Sequence, residues 1–225
     1  MFDLERREFL KFRDRLTSLP DVRDQMERAI EEVFWDYDTA LRENRFVVGG
    51  AIEFIVGAAL RACDVRVRHK GALKTDLDLI LEENEKSGYS LKAVLKATNT
   101  RLINVMGAAP TLERWLTATI FLLSGVGLVY ADPAIDWWAL RGRQHVKVAD
   151  DALEVSRKSI EAYAKANPGW LAPCLLPGLE ERKKRLRPAR TASADVAAQV
   201  LYHYPALFRE WPGLRPWEEI AQPKG

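Results

Sequence analysis

Two apolar–polar alternations separated by one polar turn constrain this chain more than any other feature of it. Thr75-Asp76-Leu77-Asp78-Leu79-Ile80-Leu81 sets acids and leucines in turn, and Tyr89-Ser90-Leu91-Lys92-Ala93-Val94-Leu95 returns after the polar stretch from Glu83 to Gly88. A strand sends successive side chains to opposite faces. The segments are therefore predicted to pair as a hairpin. Leu77, Leu79, Leu81, Tyr89, Leu91, Ala93 and Leu95 take one face, while Asp76, Asp78, Ser90 and Lys92 take the other. With the leucine face in a core, two carboxylates, a hydroxyl and an ammonium collect on one side of a small sheet.

What flanks the hairpin is mostly helical. Phe2, Phe9, Leu10 and Phe12 sit among charges, and Pro20 suits the first position of a second helix. That helix is predicted from about Asp21 to Glu43, with the stripe Val22, Met26, Ile30, Val33, Phe34, Tyr37 and Leu41 at helical spacing. A third runs from about Phe46 to Cys63, before a half-buried strand at Val65-Arg66-Val67-Arg68. Beyond the hairpin, a helix is expected from Thr111. Buried strands follow at Ile120–Leu123 and Leu128–Tyr130, joined at Gly125-Val126-Gly127. Helices are expected again at about Ala149–Ala166 and Ser193–Tyr202. The expected fold is mixed α/β: a small central mixed sheet carrying the hairpin, flanked by helices. At 225 residues the chain suits one domain. Within it, residues 1–43 form the N-terminal helices, 44–148 the core and 149–225 a mostly helical part.

The hairpin's polar face suits phosphodiester hydrolysis. Carboxylates hold Mg²⁺ through hard oxygen ligands, and its bound waters can become the nucleophile. A lysine beside it can orient or deprotonate that water, or stabilise charge on the phosphate. A solvent-facing hairpin with alternating charges is the bland alternative. Glu53 tilts the choice. Gly49, Gly50 and Gly57 lie three or four residues from it, leaving it on a helix face stripped of side chains. Each glycine costs a helix roughly 1 kcal/mol relative to alanine, so three together point to a close approach of the hairpin or of DNA.

Asn44-Arg45-Phe46-Val47-Val48-Gly49-Gly50-Ala51-Ile52-Glu53-Phe54-Ile55 resembles the glutamate-bearing helix of PD-(D/E)XK nucleases, restriction enzymes in particular. Lys74-Thr75-Asp76-Leu77 resembles their PD strand, with Thr75 in the proline place, and Ser90-Leu91-Lys92 resembles their (D/E)xK strand. The resemblance implies a restriction-endonuclease-like fold and a Mg²⁺-dependent type II endonuclease, with Mn²⁺ as substitute. Glu53, Asp76, Ser90 and Lys92 would be catalytic. Metal ligands would come from Asp76, Asp78, Glu53 and Glu113. Ser90 stands where a carboxylate is usual, so Glu113 on the following helix or Asp78 would supply the displaced acid. Asp76 matches the family position and is the preferred main ligand.

A nuclease must also hold phosphates and read bases. Lys96, Asn99 and Arg101 follow the hairpin directly, Arg141, Arg143, Gln144 and Lys147 crowd one loop, and Arg182 to Arg190 is strongly basic. Net charge of only +2 excludes a histone-like coating role without excluding local patches. The tryptophans Trp137, Trp138, Trp170, Trp211 and Trp217 read as core or interface anchors more readily than as base-stacking platforms. Cys63 and Cys174 form no metal-type pair and suit a reducing cytosol as buried small residues. No signal peptide or membrane span is expected, and a cytoplasmic location is the corresponding expectation. The expected partner is double-stranded DNA, bound by a homodimer because a double-strand cut needs two sites. A repair or structure-specific nuclease of the same superfamily and a non-catalytic DNA-binding protein are the alternatives.

Overall fold

The computed structural model describes residues 1–39, 41–71, 76–95, 99–104, 115–134, 146–149, 152–177, 179 and 192–208. Three helices open the chain: α1 (Asp3–Ser18), α2 (Pro20–Asp36) and α3 (Arg42–Ala62). Pro20 starts α2, as its missing N–H and fixed φ favour. The single helix expected from Asp21 to Glu43 is broken. Tyr37 turns extended after Asp36, and fully buried Asn44 donates from Nδ2 to the Asp38 carbonyl at 3.0 Å, holding the connecting turn and bringing the start of α3 forward to Arg42.

The strands that follow are β1 (Val67–His69), β2 (Leu79–Leu81), β3 (Gly88–Val94), β4 (Asn99–Asn104), β5 (Ala118–Leu123) and β6 (Gly127–Ala131). After them come β7 (Val146–Ala149), β8 (Ala152–Ser156), α4 (Arg157–Ala166), β9 (Leu171–Ala172), α5 (Ser193–Leu201) and α6 (Pro205–Phe208). A six-stranded sheet has the order β1-β2-β3-β5-β6-β9, and a three-stranded sheet the order β4-β8-β7. In the larger sheet β3 pairs antiparallel with β2 and parallel with β5, so the sheet is mixed, with helices packed on it. That is the expected architecture. The helix expected at Ala149–Ala166 is corrected: its first part is β8, paired with both β4 and β7. Ser156 then caps the true helix, its Oγ accepting from the Ser159 N–H at 3.2 Å.

Both faces of the larger sheet are covered. Leu79, Leu81, Tyr89, Leu91, Ile120 and Leu122 join a core with Phe9, Phe12, Met26, Ile30, Ile52 and Ile55 from the first three helices. Val94, Phe121, Leu123 and Val129 point the other way, into a smaller core with Val155, Ile160 and Tyr163. This explains why β5 and β6 read as unbroken apolar runs. Where α1 meets the sheet, Arg6 makes a two-pronged contact with fully buried Asp132, at 2.8 and 2.9 Å, and Tyr130 adds its hydroxyl at 2.8 Å. Charge-assisted forks of this kind fix geometry as well as adding energy.

The hairpin is tight at its turn end. A Cβ on Gly88 would sit 2.1 Å from the backbone carbonyl oxygen of Leu79, which no rotamer change can relieve. Gly88→Ala is expected to cost about 3 kcal/mol through overpacking. Urea unfolding checks this, and a loss below about 1 kcal/mol would show that the strand pair opens freely.

Candidate active site

Over Tyr89 to Lys92 the faces of β3 lie as the alternation predicts, whereas Ala93, expected on the core face, is exposed. Tyr89 and Leu91 enter the helix-side core, while Ser90 is buried on the opposite face and Lys92, two residues on, is partly exposed. On the other strand the ladder is shorter than expected. Only Leu79–Leu81 is strand, so Asp76 and Asp78 lie on the approach to it. The two acids part company there. Asp76 is exposed and Asp78 is 7% exposed.

Asp78 is held from several directions. One step beyond the Leu79–Tyr89 pair it meets Ser90, whose Oγ donates to Asp78 Oδ2 at 3.1 Å. The Leu91 N–H donates to the same oxygen at 2.8 Å, and the Lys70 ammonium reaches Asp78 Oδ1 at 2.8 Å. The backbone adds two bonds, Lys70 N–H to the Asp78 carbonyl and Asp78 N–H to the Tyr89 carbonyl. Ser90 thus serves as a donor to the neighbouring acid.

Glu53, on α3, is brought to the end of β1. Its Oε2 lies 2.9 Å from His69 Nε2, and both side chains are about one-fifth exposed or less, at 20% and 17%. His69 stacks on Phe54, ring centroids 4.1 Å apart and planes 20° from parallel. Next along the chain, Lys70 joins the two acid positions. Burial pulls its pKa down, yet the hydrogen bond and charge of Asp78, with the charges of Glu53 and Asp76, outweigh that and hold it above the ordinary lysine value. Three carboxylates therefore act on one cation.

His69 and Lys70 are site residues that the sequence reading missed. The alternation Val65-Arg66-Val67-Arg68, continued by one residue, would have put His69 on the face of Val67, toward α3. The expectation that the glycines of α3 admit the hairpin or DNA is corrected in part. A Cβ on Gly50 would meet Ser193 of α5 at 2.5 Å, so the approach there comes from neither the hairpin nor DNA, while a Cβ on Gly49 would meet nothing within 4 Å.

Other expected positions fall elsewhere. Asn99 and Arg101 lie on β4, and Lys147, expected in a loop, lies on β7, all in the smaller sheet. Glu113, Lys96, Arg141, Arg143, Gln144 and the basic run from Arg182 to Arg190 lie outside the described residues, as do Trp137, Trp138, Trp211 and Trp217. Trp170 packs on Tyr130 at 5.2 Å, an anchor as expected. Both cysteines are fully buried, and burial pushes the Cys63 thiol up to about 12, leaving it inert. No helix among the described residues is long and apolar enough to cross a membrane.

The donor chemistry fits Mg²⁺. The acids around Lys70 offer hard oxygens of the kind Mg²⁺ takes, with the Lys70 ammonium standing among their charges. Among the described residues no three of His, Cys, Asp and Glu form a ready-made cage. Mg²⁺ does not require one, since it keeps several waters and binds through one or two carboxylates together with substrate phosphate. Compared with models of protein families, with curated proteins and with solved structures, the chain matches none.

Proposed function

We propose that this chain is a Mg²⁺-dependent endonuclease that hydrolyses phosphodiester bonds in double-stranded DNA, of the type II restriction kind, with Mn²⁺ able to substitute. The observation that carries the proposal is the meeting of Asp78 with Ser90 and Lys70 on one face of the hairpin, beside Glu53 and on the strand face that also bears Lys92. A solvated hairpin with alternating charges gives no reason for an acid buried to 7% exposure.

In this reading Asp78 is the principal carboxylate, in place of Asp76, because it is the acid brought against Ser90. Glu53 is the second ligand and Asp76 a peripheral one. The metal, when bound, supplies Lewis acidity and a water of lowered pKa. The protein's own part is positioning. Ser90 and the Leu91 N–H fix the rotation of the Asp78 carboxylate, and Lys92 orients the attacking water or meets the phosphate. A homodimer on a two-fold symmetric site would bring a second copy of this site to the opposite strand.

Incubation of plasmid with the full chain tests the proposal. Discrete fragments with Mg²⁺ or Mn²⁺, and none in EDTA, are expected. Ca²⁺ is expected to permit DNA binding with little cleavage, as its longer, looser coordination suits this chemistry poorly. Random nicking would point to a repair or structure-specific nuclease, and an uncut plasmid across all metals would end the nuclease reading.

A further inference from the structure

His69 is built into the fold with more care than a surface histidine needs. The Gly71 N–H donates to its Nδ1 at 3.1 Å, so Nδ1 is the acceptor nitrogen and the ring proton belongs on Nε2. Nε2 faces Glu53 Oε2 at 2.9 Å. The ring plane is set by the stack on Phe54, the residue directly after Glu53, so one turn of α3 supplies both the platform and the acceptor. Tautomer, plane and direction of the ring are thereby all fixed. Among the described residues, the other Glu53 oxygen, Oε1, has no hydrogen-bond partner.

We infer that His69 is a positioning residue that holds Glu53 by one oxygen and leaves the other free for a divalent cation; this rests on the nuclease reading of the site. An Nε2–H donor held by the Gly71 N–H and the Phe54 stack suits the task. It fixes the rotation of the carboxylate through one oxygen and leaves Oε1 turned away from the ring. Outer partners that orient metal-binding groups in this way typically change metal affinity or activity by about tenfold to a hundredfold when removed.

The substitution series separates the N–H from the ring. His69→Phe keeps a flat ring for Phe54 and removes the donor, whereas His69→Gln keeps a donor at similar reach and removes the stack. Mn²⁺ binding to the full chain is read by electron paramagnetic resonance, and kcat and KM by cleavage. His69→Phe is expected to weaken Mn²⁺ binding and lower kcat by about tenfold or more with little change in KM. His69→Gln is expected to recover most of both. A ring of merely structural value predicts the reverse order. Wild-type Mn²⁺ affinity in His69→Phe, or equal losses in both variants at an unchanged unfolding midpoint, overturns the inference.

Nitrogen NMR of the labelled wild-type histidines needs no variant and guards against a misfolded one. For His69 a proton on Nε2 is expected, and a proton on Nδ1 overturns the inference. Glu53→Gln in the Mn²⁺ assay keeps the two failures apart. If it weakens binding and His69→Phe does not, the inference alone fails. If neither does, Glu53 is no ligand and the site reading fails with it.

Discussion

Asp78→Asn is expected to lower Mg²⁺-supported cleavage on the order of a thousandfold or more, and Asp76→Asn considerably less. The two acids stand two positions apart in sequence and differ in what surrounds them. Asp78 is buried, receives Ser90 Oγ and the Leu91 N–H on one oxygen, and meets Lys70 with the other. Asp76 is exposed and acts on Lys70 only through its charge. An amide at position 78 keeps an oxygen for the Leu91 N–H, so the fold should hold, but it loses the charge that a cation and Lys70 both use. Single-turnover cleavage at saturating Mg²⁺, with circular dichroism as the control, gives the ratio. An inactive Asp76→Asn beside an active Asp78→Asn would return the principal role to the residue that the sequence pattern favours.

The confusion between these acids shows where the sequence stops being legible. Alternation placed Ser90 and Lys92 on one face of β3, and the long regular ladder from Gly88 to Val94 keeps that periodicity. Unbroken apolar runs placed β5 and β6, and they answer to cores on both sides of the sheet. Alternation failed just before β2, because the ladder there is only Leu79–Leu81 and the chain at Asp76 no longer obeys a two-residue period. Periodicity describes paired backbone and says nothing where pairing ends. Glu53 was legible as an acid among glycines, yet the reason for Gly50 proved to be Ser193, far along the chain. No local pattern could announce that contact. His69 and Lys70 escaped for a related cause. Their meaning comes from Glu53 and Asp78, which topology alone brings to the end of β1. The smaller sheet was missed because β4 pairs with the distant β8, and because β8, which also pairs with its near neighbour β7, runs into α4 without a break in composition.

Two lysines compete for the catalytic role, and their surroundings separate them. Lys70 is tied to Asp78 at 2.8 Å and partly buried, so its ammonium already serves as the partner of the acid. Lys92 is partly exposed on the Ser90 side of β3, and among the described residues it has no ion-pair partner. A free ammonium on the face where substrate would lie can meet a phosphate oxygen or a water without first breaking an ion pair. Lys92→Ala is therefore expected to reduce cleavage by about 10² to 10⁴, the range for losing a proton-transfer or charge-stabilising group. DNA affinity in Ca²⁺ should change little, because one contact among many phosphate contacts adds a minor share of binding. The side chain is not enclosed in either core, so the unfolding midpoint should stay near that of the wild type. Parallel measurement of Lys70→Met makes the assignment decisive. Full turnover in Lys92→Ala with loss in Lys70→Met would move the catalytic lysine from β3 to the end of β1, and with it the side of Asp78 from which the phosphate must approach.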